Sequence, residues 1–126
     1  MIKLSSDKVM ELHALMVAET GGDANIRDVA LLDSALESAF QTFDGCELYP
    51  TKEEKGAHIG YSLISNHAFV DGNKRIGMLV MMTFLEVNGV KTDPTVDDVA
   101  RVGLAVAAGE MKYEELLKWI LDNKKY

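Results

Sequence analysis

The stretch IGMLVMMTFLEV, residues 76–87, constrains the fold of this chain more than any other part. Its apolar side chains fall on every side of a helix, and Asn88-Gly89 closes it. A helix without a polar face must be surrounded, so it belongs in the middle of a helical bundle. The near-apolar run from Ile76 to Leu85 is far shorter than the roughly 20 residues that cross a bilayer, and it reads as protein core. Immediately before it stands NHAFVDGNKR, residues 66–75, with a histidine, a carboxylate, a glycine, an asparagine and two cations side by side. A structural turn has no need of all of them together.

Helical spacing accounts for most of the remaining chain. SSDKVMELHALMVAETGG places Val9, Leu12, Leu15 and Met16 on one face and ends at Gly21-Gly22. RDVALLDSALESAF repeats the spacing with Leu32, Ala35, Leu36 and Ala39, and Asp28 is in place as its N-cap. FDGCELYP changes period: an Asp-Gly turn between Phe43 and Leu48-Tyr49 predicts a short β-hairpin. Thr51 with Glu54 forms a capping-box pattern that opens a helix running through Ile64. Thr95 with Asp98 starts another, ending near Gly109, and KYEELLKWILDNKK supplies a last one anchored by Leu116, Leu117, Trp119 and Ile120. Neither an internal repeat nor a linker interrupts the pattern. The expectation is a single all-α domain over residues 1–126, a compact bundle of about six helices with one small β-hairpin.

Charge and cysteine count narrow the function. The net charge of −7 argues against general nucleic-acid or anionic-membrane binding, so a local cationic site stands out. Cys46 is alone, which leaves no internal disulfide and no cysteine-based metal cluster. The start MIKLSSDKVMELH has no apolar signal core, and the expected location is the cytoplasm.

The polar cluster falls in the turn that feeds the N-terminus of the central helix. Backbone N–H groups there are unpaired and carry the positive end of the helix dipole, a ready place for phosphate. Gly72 can take a positive φ and turn amides inward as an anion nest. Lys74 and Arg75 add full positive charge, and a guanidinium grips phosphate oxygens in pairs. Asp71 would oppose a bare phosphate but suits one bridged by Mg²⁺. His67 is the residue type here that accepts a proton near neutral pH. Phe69 is expected to point into the core. Each residue also has an ordinary reading: a helix-capping histidine, a loop acid, a common turn and a solvated first turn. His13 and His58 lie inside helices with no partners at zinc spacing, and they read as structural. The methionines, three of them at 78, 81 and 82, read as core filler.

At these residues the chain resembles the Fic/Doc superfamily, whose motif is H-x-F-x-[DE]-G-N-[GK]-R. It stands here as His67-Ala68-Phe69-Val70-Asp71-Gly72-Asn73-Lys74-Arg75. TGG, IRDVALLDSAL, DGCELYP and FLEVNG are similar to the compact death-on-curing (Doc) branch. The resemblance implies a Fic-type bundle with a hairpin flap beside the active loop. It implies that His67 deprotonates a target hydroxyl, that Asp71 holds Mg²⁺, that Gly72 and Asn73 form the phosphate nest, and that Arg75 binds phosphate charge.

Two departures from the ordinary Fic pattern bear on the chemistry. Lys74 stands where a second glycine is usual, and Met78 where a second arginine is usual. In the Doc branch this goes with a reversed ATP, the γ-phosphate facing the histidine, and hence with protein kinase activity in which Lys74 joins His67 and Arg75. The resemblance implies a toxin of a toxin–antitoxin pair that phosphorylates a Ser/Thr hydroxyl of elongation factor Tu and arrests translation. AMP transfer and a catalytically idle scaffold that binds nucleotide or a partner are the alternatives. The self-inhibitory [ST]-x-x-x-E-[GN] pattern is absent, since no Glu here precedes Gly or Asn. Inhibition is therefore expected from a partner antitoxin, whose C-terminal segment lies in a groove. The hairpin residues Phe43, Asp44, Gly45, Cys46, Glu47 and Leu48 either dock the target peptide along an edge strand or merely pack over the bundle.

Overall fold

The structure, a computed structural model, describes residues 1–125. Six helices form it: α1 (Ser6–Thr20), α2 (Val29–Ser38), α3 (Lys52–Asn66), α4 (Asn73–Val87), α5 (Val96–Ala107) and α6 (Tyr113–Asn123). A hairpin of β1 (Thr42–Phe43) and β2 (Cys46–Glu47) connects α2 to α3. Its register pairs Thr42 with Glu47 and Phe43 with Cys46. Asp44 and Gly45 both have positive φ, as a two-residue turn matched to strand twist requires. A second pair, β3 (Lys91–Thr92) with β4 (Lys124–Lys125), adds to the single hairpin expected and brings the chain's end back beside α4.

Side-chain caps set four of the helix starts. Ser5, Asp28, Thr51 and Thr95 accept backbone N–H groups at the starts of α1, α2, α3 and α5. The other two differ: at α6 the Lys112 N–H is instead met by Glu115 of the first turn, and at α4 Gly72 occupies the N-cap, with no side chain to cap it.

The core lies where α3 and α4 cross. Three glycines let the two backbones approach: an added Cβ would meet Leu85 from Gly56 at 2.8 Å, Met81 from Gly60 at 2.7 Å and Ile64 from Gly77 at 2.5 Å. Ile59, Leu63, Ile76, Met81, Phe84 and Leu85 fill this crossing, and Leu32, Leu116 and Ile120 close it from α2 and α6. Burying such side chains is worth about 1.5–3 kcal/mol each. Phe69 is buried as expected.

Two expectations require correction. Leu15 is 60% exposed, because α1 turns Val9, His13 and Val17 inward instead. The central helix is not covered on every side either: Leu79 and Val87 reach solvent. Gly103 of α5 rests on Met78, but α5 leaves α4 uncovered further along. Among the described residues no helix is long and apolar enough to cross a membrane.

Candidate active site

His67 ends α3 as its C-cap, with a left-handed backbone at φ 54° and ψ 50°. That conformation costs a non-glycine residue free energy unless its surroundings impose it. Arg27 imposes it. Its Nε donates to the His67 carbonyl at 2.7 Å and its Nη2 to the Asn66 carbonyl at 3.0 Å. The amides of Arg27 and Asp28 both donate to the Ala68 carbonyl, and Val70 N–H donates to the Asn25 carbonyl. Residues 25–28 thus strap the motif from one side. The imidazole of His67 is exposed and has no partner among the described residues.

Asn73 locks the loop from within. Its Oδ1 accepts the Phe69 N–H at 3.0 Å and its Nδ2 donates to the Phe69 carbonyl at 2.9 Å. The side chain is therefore committed to the loop, and only its backbone N–H is left for the anion nest. Gly72 takes the expected positive φ of 79°. Its N–H is also occupied, by Asp71 Oδ1 at 2.8 Å. The first bond of the α4 ladder runs from Ile76 N–H to the Gly72 carbonyl at 2.9 Å. The amides of residues 73–75 precede it, have no intrahelical acceptor and face out along the axis. The residues expected to bind nucleotide are Gly72, Asn73, Lys74 and Arg75; the free amide donors are those of 73–75, while the Gly72 N–H is taken by Asp71.

Asp71 is exposed at the surface of the loop. Its Oδ2 takes a longer contact from Asp23 N–H at 3.4 Å. Gly22 passes so close that an added Cβ would stand 2.5 Å from that oxygen. Arg75 donates to Thr20 Oγ1 and lies against Gly22 and Gly72. Lys74 is exposed and makes no ion pair or hydrogen bond among the described residues. Asp71 could hold Mg²⁺ only with phosphate oxygens and water completing a hard-ion shell, since among the described residues no group of three or more metal-ligating side chains gathers.

His13 is the residue whose importance the sequence concealed. It is 1% exposed, its ring stacks on Phe69 at 3.9 Å between centroids, and its Nε2 lies 2.8 Å from the Asp71 carbonyl. A carbonyl only accepts, so Nε2 carries the proton and donates. His13 is structural, as read, but what it fixes is the backbone of Asp71. Arg27, Gly22 and Thr20 stand in stretches that carry the resemblance, TGG and IRDVALLDSAL, but no role could be read for them there, because their partners lie about 40 to 55 residues away in the chain.

The hairpin stands apart from this network. Phe43 is 74% exposed, and Leu48 and Cys46 also face solvent. Its base is tied down by Lys55, 1% exposed, which donates to Glu47 at 2.9 Å and to the Tyr49 carbonyl. Tyr49 stacks on His58 at 4.1 Å, and His58 Nε2 lies 2.7 Å from Ser38 Oγ. Burial lowers the pKa of His58. Burial also pushes the Tyr113 hydroxyl up to about 12, with Glu54 adding to the effect.

Toxin Doc of Mycolicibacterium smegmatis is 44% identical over 71 residues, which is 56% of this chain. The match spans about half of that relative, 55% of its length. A sequence profile described as the Fic/DOC family matches residues 3–85, from the start of α1 through nearly all of α4 and including both sides of the strapped loop. With two thirds of the chain matched and the motif folded as a loop on a buried helix, this protein belongs to the Fic/DOC family.

Proposed function

We propose that this chain is the toxin of a toxin–antitoxin pair and a Mg²⁺-dependent protein kinase. It transfers the γ-phosphate of ATP to a Ser/Thr hydroxyl of a translation factor, elongation factor Tu by family resemblance. One observation carries the reading. The exposed, unpartnered imidazole of His67 and the free amides of residues 73–75 are held on one loop, with Asp71 between them in sequence and Lys74 unpaired beside the amides. That is a proton acceptor next to an anion cradle, which phosphoryl transfer needs more than covalent help.

In this reading His67 takes the proton of the target hydroxyl as its oxygen forms a bond to the γ-phosphorus. The bond from that phosphorus to the bridging oxygen breaks, and ADP leaves with the electron pair. The amides of residues 73–75, with Lys74 and Arg75, receive the charge that accumulates on the phosphate oxygens. Asp71 would hold Mg²⁺, which neutralises phosphate charge when bound. The pinning of Asp71 by His13 and of His67 by Arg27 keeps acceptor and cradle in one arrangement before any ligand arrives. Phe43 to Leu48 offer a short edge for the target peptide, and an antitoxin segment lying in a surface groove supplies inhibition.

The test is to incubate the protein with elongation factor Tu, ATP and Mg²⁺ and to weigh the factor by mass spectrometry. A gain of about 80 Da per site is phosphorylation and about 329 Da is AMP transfer. An unchanged mass rejects the kinase reading for this target. His67→Ala is expected to slow the modification by about 10²-fold or more.

A further inference from the structure

At the start of α5, Asp98 and Arg101 close into an ion pair with contacts of 2.7 and 3.0 Å. On α6, Lys118 and Asp122 stand four residues apart and meet at 2.8 Å. At the start of α4 the same opportunity is not taken. Asp71 and Arg75 are four residues apart and opposite in charge, yet among the described residues they form no ion pair. Both nevertheless lie against one point: a Cβ on Gly22 would stand 2.5 Å from Asp71 Oδ2 and 3.6 Å from Arg75 Nη2.

What keeps them apart comes from α1 and the turn after it. The Thr20 hydroxyl donates to the Met16 carbonyl at 2.8 Å, which leaves its oxygen as the acceptor for Arg75 Nη1. Asp71 is engaged separately, by Gly72 N–H at Oδ1 (2.8 Å) and by Asp23 N–H at Oδ2 (3.4 Å). Gly22, with φ at 116°, carries the chain from Thr20 to Asp23. A side chain there would be strained and would press on the carboxylate. The same helix grips the motif twice: His13 fixes the Asp71 backbone, and Thr20, seven residues and two turns further along that face, fixes Arg75.

We infer that Thr20 is a positioning residue for Arg75, and that residues 20–23 form a spacer that stops Asp71 and Arg75 from neutralising each other, an inference that rests on the anion cradle of the kinase reading above. A closed Asp71–Arg75 pair would harm the site twice. The guanidinium would lose donors needed by phosphate oxygens, and the carboxylate would lose lone pairs needed by Mg²⁺. Held apart, both groups stay usable, since a guanidinium has donors to spare beyond the one given to Thr20. An exposed ion pair is a weak competitor, so a single hydroxyl is enough to keep it open.

Thr20 is exposed, so Thr20→Val removes the acceptor without opening the core. Binding of inorganic tripolyphosphate is measured by calorimetry in EDTA, where no Mg²⁺ competes with Arg75 for Asp71. T20V is expected to bind about five-fold more weakly than the parent, and Thr20→Ser, which keeps the hydroxyl, within two-fold of it. Asp71→Asn leaves Arg75 no carboxylate to close on, so adding T20V to D71N should change affinity by less than two-fold. Equal weakening in both backgrounds, or an unchanged T20V, overturns the inference while the kinase reading stands. If thermal unfolding shows that T20V does not fold, Thr20→Ala makes the same test. If the parent binds no tripolyphosphate with or without Mg²⁺, the anion cradle itself is wrong and both readings fall.

Discussion

The motif loop and the hairpin each contain a non-glycine residue with positive φ, His67 at 54° and Asp44 at 53°. The two angles are nearly the same, and what maintains them is not. Asp44 sits in a two-residue turn where such an angle is the ordinary solution, paired with Gly45 and exposed to water. His67 is forced into it by hydrogen bonds from Arg27 to two carbonyls, on a loop further braced by Asn73, His13 and the 25–28 segment. One turn is local and adaptable; the other is over-determined by the tertiary structure. Strain maintained at that expense fits a segment whose job is fixed geometry, whereas a segment that meets a second protein gains from yielding.

The largest effect is expected at Asn73. Asn73→Ala removes both bonds to the Phe69 backbone and strands a buried amide and carbonyl, at a cost of about 2–4 kcal/mol. Thermal unfolding is expected to shift down by about 10 °C; a shift of a degree or two would mean the loop does not depend on this clamp. His13→Phe keeps the flat ring against Phe69 but loses the donor to Asp71. Its cost is about 1–2 kcal/mol by chemical denaturation, with a several-fold higher Mg²⁺ requirement for modification. Stability lost without a change in Mg²⁺ dependence would reduce His13 to a packing residue.

At the hairpin base the expected effects are smaller. Burial holds the pKa of His58 below its ordinary value, so the unfolded chain takes up a proton before the folded one does. The contribution of neutral His58 is complete above the ordinary histidine range of about 6.5 and is lost as pH falls through it toward the folded value. Unfolding midpoints measured between pH 7.5 and 5 should fall more steeply for the parent than for His58→Gln; equal slopes would remove His58 from the account. The smallest change in stability belongs to Phe43→Ala, within about 0.5 kcal/mol of the parent. The same variant is expected to slow modification of the target protein several-fold while leaving ATP affinity unchanged. If the rate is unaltered, the hairpin is not the docking edge.

Much of this was legible residue by residue. The caps Asp28, Thr51 and Thr95, the positive φ of Gly72, the Asp-Gly turn and the burial of Phe69 all appear where local pattern put them. These are short-range effects, decided by a side chain and its neighbours within a turn. Leu15 and Leu79 went the other way, since helical period says which residues share a face but not whether another helix covers it. His13 looked like an ordinary core histidine because its partner, Asp71, is 58 residues further on.

By itself the sequence determined the helices, their ends and the order of chemical groups from His67 to Arg75, because each depends on contacts within a few residues. Only the tertiary structure decided which of those groups are free. The Asn73 side chain and the Gly72 amide are consumed in holding the loop, while the amides of 73–75, Lys74 and the His67 ring remain open. It also placed a groove beside Lys74 and Arg75. The physical reason is that a hydrogen bond is satisfied by whichever partner the fold brings within about 3 Å: the Asn73 side chain and the Gly72 amide find theirs inside the loop, and His13 of α1 with residues 25–28 holds that loop from outside.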